Sequence, residues 1–382
     1  MTYILVDTNP KNFYPLTYTR PVSGLRVGIY TLHEKWEKLL GKPVYQRTEP
    51  VLQELFEIKT DSENVFINSK YLPTAELVSQ IEGLKNNQKL IDGSEWVACR
   101  IAQEVLEINS SMTAFPAMIN NQIDHWSDAI DLNSEEIKAD LRHFHPVGSD
   151  GLSASNIVIG KRSELFIHPS AVIEGAILNT TKGSIYVGER TVIQEGACIR
   201  GPFAALEGSV IKMGAKIYEG TTVGPSCMVG GEVKNVIFQH SSNKAHDGYV
   251  GNSFLGEGVN IGAGTSCSNL KNTGTKVSVW DYLAKEYKDT GRTKLGCVVG
   301  DHSKIAINST INTGATIGVS SNVFGEGLLP KWIPNFSWGK DDQIKFDTEK
   351  AIQSYQNWCK LQGKLPQIKL EETLRYLAKK RE

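Results

Sequence analysis

The sequence has no pair of neighbouring cysteines. Its six, Cys99, Cys198, Cys227, Cys267, Cys297 and Cys359, stand far apart with no CxxC among them, which excludes a compact zinc or dithiol motif and leaves buried free thiols as the expectation. No apolar run reaches the roughly 20 residues that span a bilayer, and the N-terminal MTYILVDTNP lacks the basic and apolar stretches of a signal peptide. An excess of charge of one sign is missing too. The 41 Lys and Arg against 42 Asp and Glu give a formal net charge of −1, so nothing draws the chain to nucleic acid or an anionic membrane. At 382 residues the expectation is a cytoplasmic protein of two or three domains.

What the chain does have is a period of six. Val187, Ile193, Ile199, Ala205, Ile211, Ile217, Val223 and Val229 recur at that spacing, with mostly small or hydroxylated residues two places earlier, such as Thr191, Ala197, Ser209, Ala215, Thr221 and Cys227. A second run, Val299, Ile305, Ile311, Ile317 and Val323, repeats the pattern behind Cys297, Ser303, Ser309, Ala315 and Ser321. Six fits neither a helix nor an alternating strand and reads as a hexapeptide parallel β-helix, in which each repeat lays down one short strand and stacking buries the aliphatic ladder. An irregular β-sandwich with coincidental spacing is the alternative, and two runs in one phase weigh against it.

The remainder divides around that array. Residues 1–145 alternate short apolar runs and helical stretches, as an α/β domain does: a strand at Tyr3–Val6, a helix at Val27–Leu40, a strand at Val65–Ile67 and a helix opening near Pro73 and Thr74. The segment HPVGSDG, ending at Gly151, marks a linker. The β-helix is assigned to 146–330 and a C-terminal helical extension to 331–382, broken at Pro366. There Ile352, Tyr355 and Cys359, then Leu370, Leu374 and Leu377, make stripes read as packing faces.

Chemistry-bearing residues gather in four strings: EVKN from Glu232, NKAHDGYVG from Asn243, FLGEGVNIGAGTSCSNLK from Phe254, and DTGRTKLG from Asp289. Acyl transfer to an amine needs a proton acceptor near neutral pH, and His246 is the candidate. The strings resemble the acetyltransferase half of the bifunctional sugar-1-phosphate nucleotidyltransferase/acetyltransferases, the GlmU-like family. That family's H-L-x-Y-x-G motif matches His246, Tyr249 and Gly251, with Asp247-Gly248 replacing the usual pair between them, and its N-I-G-A-G-T motif stands intact from Asn260 to Thr265.

The resemblance implies a nucleotidyltransferase-like (Rossmann-like) N-terminal domain and a left-handed β-helix that works as a homotrimer. It implies His246 as general base toward the 2-amino group of an amino-sugar phosphate. Lys234, Tyr249 and Asn260 would hold the sugar and its phosphate, Asn269 would lie beside the acyl group, and Ala263 would meet the thioester end of acetyl-CoA. Arg292 and Lys294 match the D-x-G-R-x-K-x-G string of archaeal relatives and would supply positive charge to a phosphate.

At the N-terminus the family carries G-x-G-T-R after the first strand, whereas here no glycine stands between Val6 and Arg20. The flank survives as Tyr14-Pro15-Leu16-Thr17 and Thr19-Arg20-Pro21. Lys11 and Arg20 are candidate phosphate ligands. The family's metal-binding G-D pair meets Asn68-Ser69 here, leaving Asp7 to compensate and the metal ligands unassigned. Mg²⁺ is expected only if this domain is active. Three functions compete: acetyl-CoA-dependent acyl transfer to an amino-sugar phosphate, joined to a nucleotidyltransferase-like domain of doubtful activity; sugar-1-phosphate nucleotidyl transfer with the β-helix serving assembly; and a non-enzymatic scaffold.

Overall fold

The computed structural model describes residues 1–102, 111–142, 152–340 and 344–380; the expected linker HPVGSDG lies outside them. In chain order the first part holds β1 (Thr2–Val6), α1 (Leu32–Leu40), β2 (Val44–Arg47), β3 (Asn64–Asn68), α2 (Ala75–Glu82), β4 (Gln88–Asp92), β5 (Glu95–Ile101), β6 (Thr113–Pro116) and α3 (Trp126–Leu141). The strands form one mixed sheet in the order β2-β1-β3-β5-β4-β6. β1 is parallel to both its neighbours and buried along its whole length, as an unbroken apolar run requires.

The first helix begins later than the Val27–Leu40 expectation. Arg26–Val27 instead pairs with Tyr30–Thr31 in a tight hairpin around Gly28, whose φ of +82° needs glycine. Thr31 then opens the helix in a capping box with Glu34. α2 starts where Thr74 caps the Leu77 amide.

From Ile157 onward the chain winds into a parallel β-helix with three rows of short strands. One row aligns Leu178, Ile199, Ile217, Val233, Val250, Cys267 and Ile311. A second aligns Val187, Ala205, Val223, Phe238, Leu255, Val299, Ile317 and Ile333. The third runs Ile173, Ile193, Ile211, Val229, Lys244, Ile261, Ile305 and Val323. All point inward and all but Lys244 are apolar, so the six-residue period is the ladder itself.

Two features break the repeat. The seven-residue strands β7 (Glu232–Phe238) and β8 (Tyr249–Leu255) each run straight through a corner and serve the first and second rows at once. After Cys267 a hairpin, β9 (Ser278–Asp281) and β10 (Glu286–Asp289), stands out from the coils. The chain closes with helices α4 (Thr348–Leu361) and α5 (Ile368–Lys380).

The parts share cores. Ile237 and Phe254 face outward from β7 and β8 into a cluster with Phe13, Leu16, Leu25, Val27, Trp126 and Ile130. Burying each such side chain is worth about 1.5–3 kcal/mol, which welds the β-helix to the first part. Tyr14 and Tyr18 meet Val319, Phe336, Ile352, Tyr355, Leu374 and Leu377 in another, and the two helical stripes are thus packing faces.

Candidate functional site

The corner that leads from the third row to the first carries His246 and Ala263, the centre of the candidate site. In most coils the inward residues on either side of it are six apart: Ile211 and Ile217, Lys244 and Val250, Ile261 and Cys267, Ile305 and Ile311. At Val229 and Val233 they are four apart, joined through Gly230 and Gly231. The shortened turn packs directly against the next one, which bears His246. Both glycines are dictated by that proximity: a Cβ on Gly230 would lie 2.5 Å from the Ala245 carbonyl oxygen, and one on Gly231 2.8 Å from those of His246 and Gly248.

His246 is exposed on the turn. Its own carbonyl accepts a hydrogen bond from the Lys244 amine, which rises from the core ladder. Burial pushes that lysine down to about 8. Ala263 occupies the same place one coil on, where its carbonyl accepts from the Asn308 amide at 2.7 Å while the Gly264 amide donates to Asp247 at 3.0 Å.

On the first-row side of the corner, Lys234 pairs with Gly251 across β7 and β8, its amine 5.6 Å from the Tyr218 ring. Tyr249 donates its amide to Ser266 Oγ at 3.1 Å, and its phenol lies over Gly251 beside the Asn269 amide, so a side chain at Gly251 would collide with both. Burial raises the Tyr249 phenol above its ordinary value. Asn269 donates to Asn252 at 2.7 Å, and its carbonyl accepts the Leu295 amide at 2.8 Å, which brings exposed Lys294 alongside.

On the third-row side Asn260 is flanked by Asn243 and Lys304. The Lys304 amine sits 4.0 Å from the Trp358 ring of α4 and is pushed down to about 7 by burial. His246 and Ala263 therefore share one corner, with Lys234, Tyr249, Asn269 and Lys294 on one flank and Asn260 on the other. The sequence reading missed Lys244 and the Gly230–Gly231 pair; the doubled glycine at a repeat boundary was the available signal.

The remaining candidates are placed elsewhere. Arg292 reaches α3, where its Nε meets Asp131 at 2.7 Å and an amino nitrogen meets Asp128 at 2.5 Å, so its charge pins the hairpin rather than standing ready for a phosphate. Arg20 is buried against Asp301 and 3.5 Å from Glu257, both in the β-helix, and Thr19 also bonds Asp301. That charge is consumed between the halves, away from any phosphate loop. Lys11 is exposed and lines a cavity of about 390 Å³ with Tyr14, Trp280, Tyr282 and Lys288.

Asp7 accepts from the Val22 amide at 2.9 Å, Thr48 at 2.6 Å and Ser69 at 3.1 Å. Burial pushes it up to about 6. Both its oxygens are engaged, and its neighbour at the end of β3 is the neutral Asn68. The pair brings a single carboxylate already engaged by three protein donors, a poor start for a divalent-cation site, which gathers several free oxygen ligands. Among the described residues no cluster of three His, Cys, Asp or Glu suits a metal, and no helix is long and apolar enough to cross a membrane.

Comparison with known proteins follows the same division. Residues 3–145 match the family model described as sugar nucleotidyl transferase. A bifunctional sugar-1-phosphate nucleotidylyltransferase/acetyltransferase of Sulfurisphaera tokodaii is 37% identical over 93 residues, 24% of this chain and 23% of that one. The bifunctional protein GlmU of Wigglesworthia glossinidia brevipalpis is 26% identical over 299 residues, 78% of this chain and 55% of that one. That of Trichormus variabilis is 30% identical over 248 residues, covering 62% and 48%. The chain thus spans between about a quarter and just over half the length of these relatives. It is similar to the GlmU-like bifunctional nucleotidyltransferase/acetyltransferases, and the similarity of its N-terminal part is to the sugar nucleotidyl transferase family.

Proposed function

We propose that the chain is a transferase of sugar-nucleotide chemistry, whose β-helix transfers an acetyl group from acetyl-CoA to the amine of an amino-sugar phosphate. The observation that carries this is the shared corner of His246 and Ala263, flanked by Lys234, Tyr249 and Asn269. In the reaction His246 accepts the proton of the attacking amine, the nitrogen bonds to the thioester carbonyl carbon, and the carbon–sulfur bond breaks to release CoA. Lys234 and Lys294 offer charge to the phosphate, Tyr249, Asn260 and Asn269 hydrogen-bond sugar and acyl group, and Ala263 meets the thioester end. The β-helix is left-handed and works as a homotrimer in this reading, with a neighbouring prism closing the exposed side of His246. The first 145 residues form the nucleotidyltransferase-like domain, 146–330 the acyltransferase and 331–382 the helical extension.

The test is CoA thiol release with a panel of amino-sugar phosphates. Turnover is expected, and His246→Ala should lower it by roughly 10²–10⁴-fold while light scattering still returns a trimer. Absence of thiol release across the panel, or wild-type turnover in the variant, contradicts the proposal. Nucleotidyl transfer by the first domain is the second reading, favoured by the family match over residues 3–145.

A further inference from the structure

Between the segment 19–31, the β-helix and the C-terminal helices lies a cavity of about 340 Å³ that none of the roles above uses. Arg20, Arg26, Gln239 and His240 line it, together with half-buried Leu55, Phe56 and Leu370. The carboxylates on its wall, Asp301 and Glu257, are taken by Arg20. Arg26 is left poorly matched. Its side chain is 8% exposed, one nitrogen donates to the Ile29 carbonyl, and its ion pair with the 45% exposed Glu34 is long at 3.7 Å. The Nε atoms of Arg26 and Arg20 are both buried without a hydrogen-bond partner.

A guanidinium withdrawn from water without a close anion is costly, and natural structures supply the anion. More positive charge stands next to the cavity. The Lys364 amine lies 2.9 Å from Ser241 Oγ and 3.1 and 3.2 Å from the two ring nitrogens of His240. Burial first, then the charges of Lys364, Arg26 and Arg20, pushes that imidazole down to about 4, so His240 adds no positive charge of its own at neutral pH.

We propose that this cavity binds a phosphorylated small molecule, its phosphate bonded by Arg26 in the field of Lys364 and its body against Leu55, Phe56 and Leu370. A tetrahedral anion suits donors that converge from several chain segments, and the forked guanidinium bonds phosphate oxygens in pairs. The volume accommodates a small ester and the apolar wall gives it contact area. Because the walls come from all three parts of the chain, occupancy stabilises the assembled fold.

The experiment is calorimetric titration and thermal melting of the full chain at constant ionic strength, with inorganic phosphate, pyrophosphate, glucose 1-phosphate and AMP as probes. At least one phosphate ester should bind saturably and raise Tm, more tightly than inorganic phosphate. Equal affinity for inorganic phosphate would overturn the ester and identify a free-phosphate site. Arg26→Gln should weaken binding by about tenfold or more, the loss of a charged hydrogen bond. Because Arg26 is buried and its replacement can disturb folding, Lys364→Gln on the exposed linker is the second variant, expected to weaken binding several-fold with the unliganded Tm unchanged. Failure of every probe to bind at millimolar concentration, or wild-type affinity in either variant, overturns the proposal. Neither outcome depends on acetyl transfer.

Discussion

Asp7 takes hydrogen bonds from Val22, Thr48 and Ser69 and is still held at about 6, because burial outweighs what three donors return. A carboxyl whose folded pKa lies above its ordinary 3.8 contributes stability below that value and loses it as pH rises through about 6. Asp7→Asn keeps the shape and an acceptor while removing the charge. The variant should be more stable than wild type at pH 8, by an amount on the order of 3 kcal/mol, with the gap closing toward pH 4. Urea melts at pH 4, 6 and 8 measure it, and an equal or lower stability at pH 8 would show that the three donors win. The same physics explains what could not be read along the chain for single charges. Arg20 and Arg292 sit in strings that suit a phosphate, but the carboxylates that claim them, Asp301, Asp128 and Asp131, lie far away in sequence. For His246 and Ala263, by contrast, it was the resemblance of their strings to a known family that singled them out, and the coil-to-coil pairing of Asn243 with Asn260 then sets them one above the other.

At the scale of the coil, the inward ladder is periodic and its composition local, which is why the β-helix could be recognised from spacing alone. The long strands β7 and β8 and the hairpin β9–β10 were not recognised, since each answers to packing against the first part rather than to the repeat. Lys244 is the one charged rung of its row, between Val229 and Ile261. A lysine lowered from 10.5 to about 8 contributes stability above the former value and loses it as pH falls through the latter. At pH 7 it is therefore a charged amine in an aliphatic column. Lys244→Met, similar in length and free of charge, should raise Tm at pH 7, with the gain shrinking toward pH 10. The price is the anchor on the His246 carbonyl, so acetyl transfer should fall by about tenfold or more, in line with the sensitivity of catalysis to small misplacements. A lower Tm at pH 7 would mean that the bond to that carbonyl outweighs the cost of burying the amine.

Across the whole molecule, the segment that follows β1 is spent on assembly. Phe13, Leu16 and Leu25 enter the core shared with Ile237 and Phe254, while Thr19 and Arg20 bind Asp301 and the Gln239 side chain bonds the Gly24 carbonyl. A loop held on that many sides is poorly placed to fold around a triphosphate, and β1 ends in a carboxyl whose oxygens are occupied. Pyrophosphate release from an NTP and a sugar 1-phosphate in the presence of Mg²⁺ should accordingly be absent or far slower than acetyl transfer by the same preparation. The measurement uses the full chain, the four common NTPs and dTTP, and glucose- or glucosamine-type 1-phosphates, with pyrophosphate followed directly. Turnover comparable to acetyl transfer and abolished by Asp7→Ala would show that Asp7 exchanges its three internal donors for metal and substrate. A positioned Mg²⁺ contributes several kcal/mol to phosphoryl chemistry, so nucleotidyl transfer without such an exchange should fall below detection in the preparation assayed for the proposed acetyl transfer.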